Sequence, residues 1–562
     1  MTIKNSLKIS VSLCLCGLIF SLTLLAQTKA PEPKDVLGFT PGDDRKLANW
    51  SQVVEYFKRL DAASDRLQFQ EIGKTTMDKP FVYATISAPE NLRNLEKYKE
   101  INKKLADPRL IRSNDRAAQQ LIKQGKTIVL ITCGIHSTEV GSTLSSTLIA
   151  HRLATSSEPE IQKILENTII LLVPSLNPDG VDIVKNWYDK TLGTPFEGTE
   201  PPELYHKYVG HDNNRDWYIF SQVETQLTVD KIHNVWHPQI VHDIHQQGEF
   251  GARLFLPPYM PPVEPNVPKE IVEGYTELGN FMASDLRRKG LQGITTGTTY
   301  DAWTPARAYS HYHGGVRILS ETASVDLATP KTVKFEQLRG ASGGLDAKKE
   351  SPNFGPVWQG GEWKMRDITN YMTTAAFSLL NHAADNREKW LSRFYAIGKE
   401  AVRPRKQGEI YGYLISEGRA SDDLEDILKR AGVNFETIWR IEDGTAKRYL
   451  LVKMAQPYGN FAKAILEKQQ YPNLLDDKGQ PIPPYDVTAH TISLLFEVDV
   501  EPIFQPIRSA NVQSSVPSQL GCGGGKDGPK INYVQIYRSH VPSMDEGWTR
   551  FILEDKRFWH EY

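Results

Sequence analysis

Two uninterrupted apolar runs constrain this chain most: Lys126 to Cys133 (KTIVLITC) and Thr168 to Val173 (TIILLV). A half-exposed strand alternates apolar and polar residues. A run that is apolar at nearly every position belongs in a sheet covered on both faces. Phe81 to Ile86, Gln239 to Val241 and Val316 to Leu319 read as further strands. Leu47 to Leu60 and Val140 to Leu153 place apolar residues at helical spacing. Strands alternating with helices indicate an α/β fold.

The 562 residues are enough for roughly two to four domains. The character changes near residue 400. Ile410 to Ile415 is strand-like, Ser421 to Ala431 is an amphipathic helix that Ser421 is placed to cap, and Leu450 to Val452 is apolar again. Residues 31–399 therefore read as one domain and 400–562 as a smaller α/β domain. The proline-rich interval 256–268 cannot form a regular element; it shapes a cleft or lies on the surface. Ser514 to Gly528 reads as a flexible loop.

Residues 1–26 stand apart. Lys4 and Lys8 precede the apolar stretch Ile9 to Leu25, and Ala26 offers a small residue for cleavage. This pattern is expected of a secretory signal peptide. An uncleaved anchor is the competing reading, but the run is short for a spanning helix of about 20 residues. The mature chain is expected to be secreted or periplasmic, with no stable membrane insertion. It would keep only Cys133 and Cys522, a buried thiol and a distant partner at most, so it is no disulfide scaffold. A net charge of -2 gives no field that favours nucleic acid.

The segments that follow the strands carry the chemistry. His136 and Glu139 lie just past Cys133, where open α/β sheets bind ligands. His-x-x-Glu across a turn lets both side chains reach one ion. His245 follows the strand at Gln239 to Val241, and two histidines with a glutamate form a known catalytic zinc set. His242 competes for the third place; on an extended segment it would point elsewhere, which favours His245. Glu321 follows Val316 to Leu319. A carboxylate there can take a proton from a zinc-activated water, whose pKa falls toward about 7. Asn214 and Arg215 offer an amide and a guanidinium fork that fit a carboxylate, or else a structural ion pair with Asp216 or Asp179. Any one of these residues, taken alone, would be an ordinary core histidine or surface charge. Their order and spacing carry the reading.

The series His136-x-x-Glu139, Asn177-Pro178-Asp179-Gly180, Asp212-x-Asn214-Arg215, His245, Glu321 resembles the carboxypeptidase A-like zinc metallocarboxypeptidases, over about residues 35–395. Leu37-Gly38-Phe39 and Ile72-Gly73-Lys74-Thr75 are similar to that family as well. The resemblance implies a mixed, doubly covered sheet and one zinc per chain, bound by His136, Glu139 and His245. It implies Glu321 as general base and then acid. Asn214 and Arg215 would hold the free C-terminal carboxylate of a peptide, and Asp212 would support the first histidine. Two features depart from the pattern. No arginine occurs from Asn177 to Asn214 to polarise the scissile carbonyl, leaving Lys190, His211 or a residue from elsewhere. The tyrosine that covers substrate is Tyr300, Tyr309 or Tyr312, with Tyr300 at the most family-like separation from Glu321.

The C-terminal region looks similar to amidotransferase-type α/β domains, but Gly521-Cys522-Gly523 is not their nucleophile elbow, so it reads as non-catalytic. A zinc amidase or deacylase acting on peptidoglycan peptides or N-acyl amino acids would use the same metal site. A relic binding protein would not need to retain Glu321.

Overall fold

The computed structural model describes residues 29–299, 301–340, 345–418, 421–476, 478–482, 484, 488–507, 536, 539 and 541–554. The expected leader, Tyr300, Cys522 and the loop Ser514 to Gly528 lie outside the described residues.

The strands of the main body are β1 (Leu67–Lys74), β2 (Pro80–Ile86), β3 (Thr127–Cys133), β4 (Thr168–Val173), β5 (Ile240–Gln247), β6 (Leu254–Leu256), β7 (Ile294–Thr296), β8 (Val316–Ala323), β9 (Lys331–Val333), β10 (Phe354–Gly355) and β11 (Gly361–Trp363). Nine of them form one sheet in the order β1-β2-β4-β3-β5-β8-β6-β7-β10. Its centre, β4-β3-β5-β8, is parallel, while β1, β2, β6 and β10 bring antiparallel pairings. The fold is thus mixed α/β, as the apolar runs require. Every residue of β3 and β4 is buried, which is possible only with both faces covered. Helices Gly141–Thr155 and Met365–Asp385 pack together and onto the central strands, and helix Arg387–Val402 packs on β3 and on helix Leu95–Ala106.

β5 and β8 run further than their apolar cores. The apolar criterion ends them at Val241 and Leu319, yet they continue to Gln247 and Ala323. Their polar ends pair with each other in parallel register, His245 beside Glu321 and Gln246 beside Thr322. The sheet bonds supply what the side chains lack in hydrophobicity.

A second sheet comprises β12 (Gly412–Ser416), β13 (Glu436–Glu442), β14 (Thr445–Lys453) and β15 (Val500–Ile503), in the order β13-β14-β12-β15. All its pairings are antiparallel, unlike an amidotransferase-type parallel sheet. The cause is local. Asp443 and Gly444 both have positive φ, 51° and 74°, and make the tight hairpin that joins β13 to β14. Helix Gly459–Leu466 anchors this region to the main body. Its Phe461 lies among the rings of Phe220, Tyr309, Tyr312 and His313. Cys133 is a buried free thiol.

Candidate metal centre and its surroundings

β3 ends at Gly134, whose φ of +60° turns the chain sharply. A side chain there would meet Thr143 and Ser175. The next turn is closed by Glu139 N–H donating to the His136 carbonyl at 3.0 Å. It folds the Glu139 carboxylate back onto His136, with Oε1 2.7 Å from Nδ1. Glu139 Oε2 lies 3.1 Å from His245 Nδ1 and accepts the Gln246 N–H at 2.9 Å. One carboxylate therefore touches both imidazoles. One donor atom from each of His136, Glu139 and His245 falls within 4.8 Å of the others. Zinc ligand bonds of about 2.0–2.1 Å set donor separations of about 3.3 Å in a tetrahedron, so this group fits a zinc ion. The histidines are 4 % and 1 % exposed. Burial works against the Glu139 charge, but the two imidazoles still hold its carboxyl below the usual range.

The Asn177-Pro178-Asp179-Gly180 segment frames this turn and starts a helix. The Asn177 side chain caps it, accepting the Gly180 N–H at 3.2 Å, with Pro178 in the first turn. Asn177 Nδ2 also donates to the Tyr205 carbonyl at 3.0 Å. Asp179 accepts from the Thr75 hydroxyl and the Met77 N–H at 2.6 and 2.9 Å. A side chain at Gly180 would lie 2.2 Å from Ser137 Oγ. The motif thus clamps three loops around the histidine turn.

His245 and Glu321 are register partners across β5 and β8, so their side chains share one face. Burial, with help from Glu139, Asp301 and Asp243 and against His245, pushes the Glu321 carboxyl up to about 8. His242, an odd number of residues away, faces the other side, where its Nε2 lies 2.9 Å from Ser320 Oγ.

Asp212 takes a different place from the one expected. Its Oδ2 accepts the Trp548 indole N–H at 3.2 Å, while His136 Nε2 has no hydrogen-bond partner among the described residues. The carboxylate behind one of the two candidate histidines is Asp243, behind His245. Asp243 Oδ2 is 3.2 Å from His245 Nε2, within ion-pair range but off the line of a good hydrogen bond. Thr132 donates to Asp243 Oδ1 at 2.8 Å, and Arg317 grips Oδ2 through Nη2 at 2.7 Å. Arg317 also donates to Asp301, which pairs with Arg307 at 2.9 Å. Asp243 sits two residues from His245 and so shares its face, a period-2 signal that was available in the sequence.

The turn Gly210–Arg215 brings in further groups. The His211 ring stacks on His136 with centroids 3.8 Å apart, and the Tyr205 hydroxyl is 3.1 Å from His211 Nδ1. Burial, then the neighbouring His136 and Arg215, pushes His211 down to about 3, so it is neutral at ordinary pH. Asn213 Nδ2 donates to the Ile135 carbonyl at 2.6 Å, tying this turn to the histidine turn. The Asn214 Oδ1 atom is buried without a partner among the described residues. Arg215 Nη1 donates to the Asn214 carbonyl at 2.9 Å, and its charge reaches both His136 and His211. Of the two substitutes for the absent arginine, His211 is at the centre, whereas exposed Lys190 lies by the ring of Trp187. Tyr309 is buried among aromatic rings and Tyr312 donates to Glu264, so both are engaged in packing.

Residues 53–311 match the family described as zinc carboxypeptidase. His136, Glu139, Arg215 and His245 fall inside the matched segment, and Glu321 lies beyond it. Solved structures with a similar arrangement include a metallo-carboxypeptidase from Burkholderia cenocepacia (14% identity, 59% of this chain and 68% of that one, TM-score 0.37). Others are the carboxypeptidase A of Helicoverpa armigera (16%, 65% and 79%, 0.37) and a metallo-carboxypeptidase from Pseudomonas aeruginosa (12%, 60% and 68%, 0.37). No curated protein matches the chain in sequence.

Proposed function

We propose that this chain, a zinc metallopeptidase by its zinc carboxypeptidase domain, is an exported carboxypeptidase that removes the C-terminal residue of peptides. The observation that carries the reading is a shared face: His136, Glu139 and His245 converge, and Glu321 stands in register with His245. Zinc held by those three residues would supply Lewis acidity toward a carbonyl oxygen and toward water. Glu321 takes a proton from the attacking water and passes it to the leaving amine. Arg215 and Asn214 receive the terminal carboxylate and so fix which peptide bond lies over the ligands. His211, neutral and stacked on His136, is placed to donate a hydrogen bond to the scissile carbonyl where the family's arginine is absent. The region beyond residue 400 has no part in the chemical step. No helix among the described residues is long and apolar enough to cross a membrane.

The test is a matched set of free-acid and C-terminally amidated peptides, with and without chelator. The wild type should prefer the acids strongly and lose activity to the chelator. Arg215→Ala should raise KM for the acids about 10- to 100-fold, as expected for a lost hydrogen bond to a charged group. Equal cleavage of both forms by the wild type would instead favour the amidase or deacylase reading.

A further inference from the structure

The turn Gly210–Arg215 belongs to a stretch with little regular structure. From Leu192 to Gln222 the chain forms no helix or strand except that one 3₁₀ turn. Such a segment has few backbone bonds of its own to hold it. Its outer side is covered by helix Met544–Glu554, which is remote in sequence and lies outside the zinc carboxypeptidase match.

The contact is close and polar at both ends. Gly547 is buried against the segment, and a side chain there would lie 1.9 Å from the Tyr208 carbonyl oxygen. Only glycine lets the helix backbone approach so nearly. Arg550 Nη2 donates to the Lys207 carbonyl at 2.7 Å. Tyr208 donates its hydroxyl to Glu554 at 2.8 Å, and its ring meets Phe551 edge-on at 5.3 Å. The Trp548 indole N–H reaches Asp212, between His211 on one side and Asn214 and Arg215 on the other.

We propose that helix Met544–Glu554 is a positioning element for the substrate-carboxylate segment, and that Trp548 is its positioning residue, acting through Asp212. The inference rests on the reading of Arg215 and Asn214 as carboxylate-binding. The Trp548 indole N–H bonds to Asp212, and its ring meets Phe551. It fixes Asp212, the neighbour of His211 and two residues from Asn214, and so sets where the guanidinium and amide stand relative to the zinc ligands. Selectivity for a free C-terminus then depends on a helix at the far end of the chain.

The experiment compares Trp548→Phe, which keeps a ring but loses the donor, with Gly547→Ala, which forces the helix away. Steady-state kinetics on paired acid and amide peptides, together with zinc content, are measured on the full-length enzyme. Both variants should keep zinc. Trp548→Phe should raise KM for acids roughly 3- to 10-fold with kcat little changed, the size of a modest loss at a charge-assisted bond. KM for amides should stay put. Asp212→Ala should behave like Trp548→Phe, and the double variant should be no worse than either single one. Asp212→Asn, which retains an acceptor, should restore most of the affinity. If Gly547→Ala fails to fold, Trp548→Phe alone decides. A wild type that prefers acids, with Trp548→Phe unchanged in that preference, overturns the inference and leaves the carboxypeptidase reading intact. A fall in kcat with loss of zinc also overturns it, because the helix would then support the metal centre. A wild type indifferent to the C-terminal group overturns the carboxypeptidase reading itself.

Discussion

The two halves of the candidate site are built in opposite ways. The half proposed to bind the metal stands at the ends of β3, β5 and β8, strands paired to one another through the parallel centre of the sheet. The half proposed to bind the carboxylate stands on a 3₁₀ turn within a long irregular stretch, held by Asn213 from within and by helix Met544–Glu554 from outside. Residues on paired strands inherit their positions from the sheet bonds. Residues on the turn inherit theirs from side chains far away in sequence. The first half should therefore respond to substitution in an all-or-none way, and the second in small steps that separate binding from turnover.

The sharpest break between the halves is expected at β5. His245→Ala should lose bound zinc and nearly all activity, whereas His242→Ala, facing Ser320 across the sheet, should keep its zinc. Metal analysis by mass spectrometry of the two purified proteins checks this; zinc lost only in His242→Ala would invert the assignment. Next in size is Glu321→Gln, which keeps shape and zinc but removes the proton acceptor. A drop in kcat of about 100- to 10,000-fold is expected. Activity within a few-fold of wild type would move the base elsewhere.

A third comparison sets one carboxylate against another. Asp243→Asn removes the charge behind His245 and leaves Arg317 facing a neutral amide. Zinc affinity should fall about 10- to 100-fold, as for other groups that orient a ligand. Asp212→Asn should leave zinc affinity alone, since Asp212 bonds to Trp548 and not to a ligand. Competition with a chelator of known affinity measures both. Equal losses would mean that Asp212 supports the metal after all.

This division also explains what was legible in the sequence. The doubly covered sheet could be read because β3 and β4 are apolar along their whole length. The candidate ligands stand out because they lie at fixed short distances from strand ends, and their donor atoms fall within 4.8 Å of one another. The ends of β5 and β8 extend past the apolar residues, since most of their last residues are polar, with His245 and Glu321 on the face toward the site. The network of Asp243, Arg317, Asp301 and Arg307 was missed although Asp243 shares a strand face with His245, because its arginine partner, Arg317, lies 74 residues away. Asp212 was misplaced for the same reason: its partner, Trp548, is 336 residues distant, and no local pattern marks such a bond. The antiparallel second sheet carried a visible sign in Asp443-Gly444, a hairpin pair.

The last expected effect concerns stability rather than turnover, at the seam where the second sheet region meets the loop before helix Lys269–Arg288. Glu264 is 4 % exposed and accepts from Tyr312 Oη, Asn266 N and Asn266 Nδ2 at 2.9, 2.9 and 2.8 Å. Asn266 in turn accepts from Lys463 Nζ at 2.6 Å, in helix Gly459–Leu466. Burial pushes the Glu264 carboxyl up to about 7. In the unfolded chain it titrates near an ordinary glutamate value of about 4.3. The folded state therefore holds this proton more tightly. Its contribution is fully present at low pH and declines as pH rises from about 4.3 to about 7, by about 4 kcal/mol in all. Glu264→Gln cannot ionise, so its stability should not decline through that window on this account. The buried His233, His237 and His313, pushed down to about 3 or 4 by burial, act in the opposite sense, since they favour the folded state as pH rises. Their effect is common to both proteins and cancels in the difference. Denaturant unfolding of wild type and Glu264→Gln at pH 5 and pH 8 should thus show the variant gaining on the wild type as pH rises. Parallel curves would mean that Glu264 is ionised at both pH values and held so by its three donors.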